Sequence, residues 1–381
     1  MRTVKLADVA TLERQGVDPT ALSPETLYLG LEHIERGGRI LGHDTVAGAE
    51  LTSTKFRFSP DHVLFGKLRP NLGKISRPNF EGVCSTDILP IKPGKDLDRN
   101  YLAHYLAQPR MVDFASSRTS GANLPRLSPA VLARFPVPLP SLPEQRRIAA
   151  ILDHADALRA KRRQVLTHLD ALTQATFEEM FGRFTKNERT ELNRFTKLVT
   201  KGTTPTTVGL EFSSNGVPFV RAQNLQEGTI HFDTGDLYIS EGAHGTLKRS
   251  WIEPHDLLMS IAGTIGRVAI APAETQMMNC NQAVAIVRLV EPELGPWLMA
   301  WLNSPDGRTQ IGASAVTATI SNLSLGQIRA LRVPVVPINI VKEFVRRAKS
   351  VAATRSVARR AATADDELFA SLQSRAFRGE L

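Results

Sequence analysis

Tyr101-Leu102-Ala103-His104-Tyr105-Leu106-Ala107-Gln108-Pro109 reads against Trp297-Leu298-Met299-Ala300-Trp301-Leu302-Asn303-Ser304-Pro305, with aromatic, leucine and proline positions in step. The offset is about 196 residues, half of the 381-residue chain, so the second half repeats the first. Other landmarks keep nearly that spacing. Leu72-Gly73-Lys74 meets Ile265-Gly266-Arg267, Cys84 meets Cys280, and Pro138 meets Pro334. A chain of two copies carries approximate two-fold symmetry, which suits a DNA duplex or a pair of identical partner subunits. Polar loop residues differ between the copies, so the scaffold repeats while what the loops read does not.

Each copy opens with a mixed texture. Strand-length apolar runs alternate with Gly/Pro/Asn turns: Thr26–Leu31, His62–Phe65 and Ile88–Ile91 in the first copy, Val217–Arg221 and Asp256–Ile261 in the second. Tyr101–Leu106 and Trp297–Asn303 have helical spacing, and Ser128–Arg134 reads as a further short helix. Pro136-Val-Pro-Leu-Pro140 and Val333-Pro-Val-Val-Pro337 then exclude helix and central strand, because proline lacks the N–H and fixes φ.

Two long segments follow these proline exits. Glu144 to about Phe181 holds no Gly or Pro. Ile151, Leu158, Val165 and Leu172 recur at heptad spacing, with Ile148, Ala155, Leu169 and Thr176 as companions and Arg162 interrupting the row. This predicts a coiled-coil seam of about five heptads. At ~1.5 Å per residue the helix is on the order of 55 Å long. From about Ile338 to Phe377 a second such helix is predicted, richer in alanine. Each long helix is the other's obvious partner, so the expected arrangement is an antiparallel pair.

Composition narrows the function. Apolar content is 42% and charged content 22%, ordinary for a soluble globular chain. The net charge of +9 suits a polyanionic partner, as does the pI of about 9.7. Two cysteines exclude a Cys-based zinc site and a disulfide framework. At equivalent places in the repeat, they read as small buried core residues. No signal-peptide pattern opens the chain and no run approaches a membrane span, so a cytoplasmic protein is expected. No phosphate-binding loop, G-x-G-x-x-G, H-E-x-x-H, G-x-S-x-G or amino-methyltransferase tetrapeptide is present, and the histidines form no spaced cluster. No catalytic residue, metal or cofactor is expected.

The candidate contacts are basic and polar loops. Lys67-Leu-Arg-Pro-Asn-Leu-Gly-Lys74 places Lys67, Arg69 and Lys74 after an apolar strand, where they can meet phosphates or guanine edges. In the second copy Lys201-Gly-Thr-Thr-Pro205 supplies Lys201, Thr203 and Thr204. Arg221-Ala-Gln-Asn224 supplies Arg221, Gln223 and Asn224, and Arg267 is the counterpart of Lys74. Their weight comes from expected recurrence at equivalent places in both copies.

Across its whole length the chain resembles the specificity subunits of type I DNA restriction-modification systems. The resemblance is carried by Pro138-Leu-Pro-Ser-Leu-Pro-Glu-Gln-Arg-Arg-Ile-Ala-Ala-Ile-Leu152, Phe177-Glu-Glu-Met-Phe-Gly182 and Ser374-Arg-Ala-Phe-Arg-Gly-Glu-Leu381. Leu68-Arg-Pro-Asn-Leu-Gly-Lys74, Lys201-Gly-Thr-Thr-Pro205, Gly263-Thr-Ile-Gly-Arg267 and Asn279-Cys-Asn-Gln282 add to it. It implies an α/β (α+β) fold of two mixed target-recognition domains, at 1–140 and 184–335. These are joined by two long antiparallel coiled-coil helices, at 141–183 and 336–381, with an internal pseudo-two-fold repeat. It also implies a non-catalytic subunit that reads a split target in double-stranded DNA, one half per globule, and docks two adenine-methyltransferase (modification) subunits. Because the copies differ at the loop positions, an asymmetric bipartite target is expected. A restriction/translocase subunit is an optional further partner. Two rivals predict otherwise. A stand-alone DNA-modifying enzyme would bind S-adenosylmethionine by itself, and a scaffold clamping partner subunits would give complexes that bind DNA weakly.

Overall fold

The computed structural model describes residues 2–184, 188–233, 235–315 and 322–381. It divides into two compact units, Met1–Arg162 with Ala361–Leu381, and Arg163–Arg360. The division falls inside both long helices, Leu142–Phe181 and Ile338–Arg378. Each unit therefore holds one mixed globule, part of one helix and part of the other.

The first unit contains an antiparallel sheet in the order 10–12, 88–93, 63–66, 75–76, and a five-stranded sheet in the order 16–17, 55–58, 82–84, 27–29, 44–45. Leu27–Leu29 and Gly82–Cys84 run parallel, with Leu29 opposite Cys84. The second unit repeats the plan. One sheet runs 196–201, 284–289, 257–260, 268–270, and another runs 237–239, 217–220, 278–280, 251–252, again with a parallel pair that sets Val220 opposite Cys280. Both cysteines are fully buried, and burial pushes both thiols well above their ordinary range. Register fixes the correspondence. Gly66 pairs with Ile88 as Ser260 pairs with Val284. Leu68 bridges Arg126 as Ala262 bridges Asn322.

The proline exits are short strands. Pro136–Pro138 pairs with Thr3–Lys5, and Arg332–Pro334 with Arg189–Glu191. Two-stranded ribbons tolerate proline because half the ladder positions need no N–H. Each ribbon leads directly into a long helix.

The aromatic repeat forms the core of each unit. In the first, Tyr101 and Tyr105 pack on Phe377 with ring centroids 5.2 and 5.3 Å apart. In the second, Trp297 packs on Phe181 at 6.2 Å, and Phe177 and Phe181 enclose Phe344. Each globule thus takes the start of one long helix and the end of the other into its core, which burial of Ile148, Leu152 and Ala376, or of Phe344, Val345 and Phe177, stabilises.

Within each unit the long helices run antiparallel. In the first, Arg159 meets Asp366 at 2.6 Å and Arg162 meets Asp365 at 3.2 Å. In the second, Arg355 meets Asp170. The seam differs from the expected one. Leu158, Val165 and Leu172 are 47%, 45% and 46% exposed, so the most apolar heptad row faces outward. The facing row begins at the buried Leu152 and continues through Arg159 and Arg162, whose charges are met by aspartates on the second helix. Ion pairing makes an inner row out of residues whose polarity argued for the surface.

Candidate nucleic-acid interface

In the first unit the Lys67–Lys74 loop leaves the Val63–Gly66 strand and is pinned on both sides. The Lys67 carbonyl accepts from the Leu127 amide at 2.9 Å, and the Arg69 amide donates to the Pro125 carbonyl at 2.8 Å. Its three cations have different fates. Lys67 is half-buried with Nζ 3.9 Å from Asp87, a carboxylate that Arg126 also holds at 2.9 and 3.2 Å. Lys74 is half-buried and donates to the Leu31 carbonyl at 2.7 Å. Arg69 is exposed, with its backbone in the left-handed region at φ 49° and ψ 61°. Lys67 and Lys74 hold the loop together, and Arg69 is what the loop presents.

In the second unit three strand ends converge. The Asn281 amide donates to the Val220 carbonyl at 3.1 Å, and the Thr203 amide to the Cys280 carbonyl at 3.1 Å. Gly202 lies so close to this edge that a Cβ there would stand 2.0 Å from the Cys280 carbonyl oxygen. This brings Lys201, Thr203 and Thr204 together with Arg221 and Gln223, and the Thr204 hydroxyl donates to Gln282 Oε1. Gln223 is exposed, while Lys201 and Thr203 are half-buried.

Asn224 departs from its expected role. It is 3% exposed, accepts from the Arg221 amide at 2.8 Å, and donates to the His231 carbonyl and to Asp236 Oδ1, both at 2.8 Å. With its amide fully engaged, it shapes the turn. Arg221 is drawn toward the same Asp236 at 3.4 Å. Burial opposes ionisation of Asp236, but hydrogen bonds from Asn224, the Asp233 amide and Arg221 outweigh it and hold the carboxyl below its usual range.

Arg267 stands apart from that edge. It borders a cleft of about 1050 Å³ beside the second long helix, shared with Arg308, Lys349, Arg355 and Arg359. Arg355 and Arg359 both engage Glu227 at the tip of the hairpin formed by Leu225–Gln226 and Thr229–Ile230. The candidates of the two copies therefore do not recur at equivalent places. Those of the first copy lie on the loop after the central strand, where only Arg267 corresponds to them, and the rest of the second set lies at the strand-end edge. The residue of the first copy at that edge is Arg14, exposed and equivalent in register to Lys201. Among the described residues no group of three or more His, Cys, Asp or Glu is placed to hold a metal ion, and no helix is long and apolar enough to cross a membrane.

These features define a two-copy mixed α/β fold with two long helices. Residues 1–168 match the type I restriction modification DNA specificity domain. The chain is 31% identical over 197 residues to the EcoDI type I restriction enzyme specificity subunit of Escherichia coli, covering 50% of this chain and 43% of that one. It is 26% identical over 313 residues to the EcoBI specificity subunit of the same organism, covering 73% and 65%. It thus spans about half to two thirds of the length of these relatives. The crystal structure of a type I restriction-modification S subunit from M. genitalium shares the fold with a TM-score of 0.60 at 12% identity, over 99% of this chain and 96% of that one. A chain from a structural study of type I system assembly and conformational transition gives a TM-score of 0.59 at 19% identity, over 100% and 98%. The chain is thus similar to type I restriction enzyme specificity subunits, and its residues 1–168 match their DNA specificity domain.

Proposed function

We propose that this chain is the non-catalytic, sequence-reading subunit of a type I restriction-modification complex in the cytoplasm. Each globule is a target-recognition domain, at 1–140 and 184–335, that reads one half of a split target in double-stranded DNA. The long helices at 141–183 and 336–381 set the gap between the halves. The observation that carries this reading is one scaffold present twice, with different residues at equivalent positions: Arg69 against Gly263, and Arg14 against Lys201. Equal scaffolds with unequal loops suit a bipartite target whose halves differ.

Two modification subunits dock on the same chain, bringing S-adenosylmethionine and the adenine-methylating chemistry, and a restriction subunit is an optional addition. The outward apolar row supports docking. In the first unit Ile151, His154, Leu158, Leu368 and Leu372 line a shallow groove of about 400 Å³ along the helix pair. Apolar rows of this kind on a soluble helix mark a surface that a partner covers.

Footprinting of the chain assembled with its modification subunits tests the reading. Two protected DNA segments of different sequence, separated by an unprotected gap, are expected. One continuous footprint on a palindrome, or S-adenosylmethionine binding by the chain alone, would contradict it.

A further inference from the structure

The loop after the central strand has the same start and the same anchors in both units. Gly66 and Ser260 end equivalent strands, and Leu68 and Ala262 make equivalent bridges. The next residue in each adopts the left-handed conformation. In the second unit it is Gly263, at φ 71°, with nothing within 4 Å of where a Cβ would stand. In the first unit it is Arg69, at φ 49°. This conformation is strained for any residue with a Cβ, and glycine adopts it freely. The fold therefore accepts glycine here, and the first copy carries arginine against a local backbone preference.

One of the three other such side chains is explained by what it touches. Glu227, at φ 50°, is gripped by Arg355 and Arg359. Arg69 has no such internal role. It is exposed, and among the described residues its guanidinium makes no hydrogen bond or ion pair. Glu50 and His255 are also left-handed and exposed; Glu50 carries the sign that DNA repels, and His255 sits in a strand-connecting turn, its amide donating to the Ala271 carbonyl at 3.0 Å. The loop's other two cations are committed, Lys67 to Asp87 and Lys74 to the Leu31 carbonyl, and Arg126 beside them is held by the same Asp87. Charge reaches outward from this loop through Arg69.

We propose that Arg69 is a phosphate-gripping residue of the first globule, positioning the DNA backbone rather than reading a base. This rests on the reading that the chain binds DNA. Reading guanine with both guanidinium nitrogens needs a side chain oriented by its neighbours, and none orients Arg69. A phosphate accepts a swinging cation from many directions. The adjoining segment suits a passing backbone: Ser120, Gly121, Ala122 and Asn123 are exposed and small, and the Ser120 and Arg126 backbones hold each other at 3.0 and 2.9 Å.

The test uses the chain assembled with its modification subunits and a pool of random-sequence duplexes, with affinity measured across a salt series. Arg69→Gly is expected to reduce the slope of log K against log salt by about 0.9, one phosphate contact. Its melting temperature should be unchanged or raised, because glycine relieves the left-handed strain. Arg69→Lys keeps the charge and should keep the slope. An unchanged slope for Arg69→Gly in a complex whose wild type binds DNA overturns the proposal alone. Wild-type complex that binds no duplex overturns the DNA reading and this proposal with it. A slope kept by Arg69→Gly, together with altered base preference in Arg69→Lys, would make the residue a base reader and also overturn the proposal.

Discussion

Gln145 shows how a polar residue can sit in a core. It is fully buried in the first turn of the first long helix, donates to the Pro140 and Asp96 carbonyls at 3.0 Å, and accepts from the Asp98 amide at 2.8 Å. Asp98 in turn caps the aromatic helix through the Tyr101 amide at 2.9 Å. Gln145→Ala is expected to cost ~1–3 kcal/mol by leaving these backbone groups unpaired, measurable by urea denaturation. Asp153 makes a pH-dependent contribution. Burial opposes its ionisation, but hydrogen bonds from His104 and Arg77 and the charge of Arg77 prevail, and its pKa falls to about 2. A depressed carboxylate stabilises the fold fully above its unfolded value of about 4 and loses that contribution as pH falls through about 2. The stability difference between wild type and Asp153→Asn should therefore hold from neutrality down to about pH 4 and then shrink toward about pH 2; a difference that is flat throughout that range would contradict the assignment. Residues whose role follows from composition alone were legible in the sequence, as with the buried Cys84 and Cys280. Asn224 was not, because its burial depends on Asp236, and Lys74 was not, because its partner is the distant Leu31 carbonyl.

At the scale of elements, periodicity located both long helices and the aromatic helices, and Gly/Pro punctuation located the central strands. Periodicity failed at the seam. By its spacing the strict apolar row reads as the interior, but the helix pair is closed by Arg159, Arg162 and Arg355 on aspartates and leaves Leu158, Val165 and Leu172 outside. Two consequences differ sharply between an inner and an outer row. Leu158→Asp should lower the stability of the chain by less than about 1 kcal/mol, the usual range for exposed positions. The same substitution should weaken co-purification of the modification subunit severalfold. Marked unfolding of the variant would place Leu158 in the interior after all. Leu152→Ala, at a fully buried position, should cost about 2–5 kcal/mol.

At the scale of the whole molecule, the two-copy plan is readable from one nonapeptide pair, while the candidate reading surfaces are not. The repeat conserves what packs, so Tyr101 and Trp297 or Cys84 and Cys280 announce it. Loop residues carry no such constraint, and their roles depend on strand ends that only the folded sheets bring together, as with Lys201, Arg221 and Asn281. The central claim is that this chain chooses a split DNA target with unlike halves. Mapping adenine methylation in the host genome, with the gene intact and deleted, tests it most directly. The account predicts that deletion erases one bipartite motif whose two halves differ, and no other. Loss of a continuous or palindromic motif would contradict it, as would an unchanged map in a host that expresses the modification subunits.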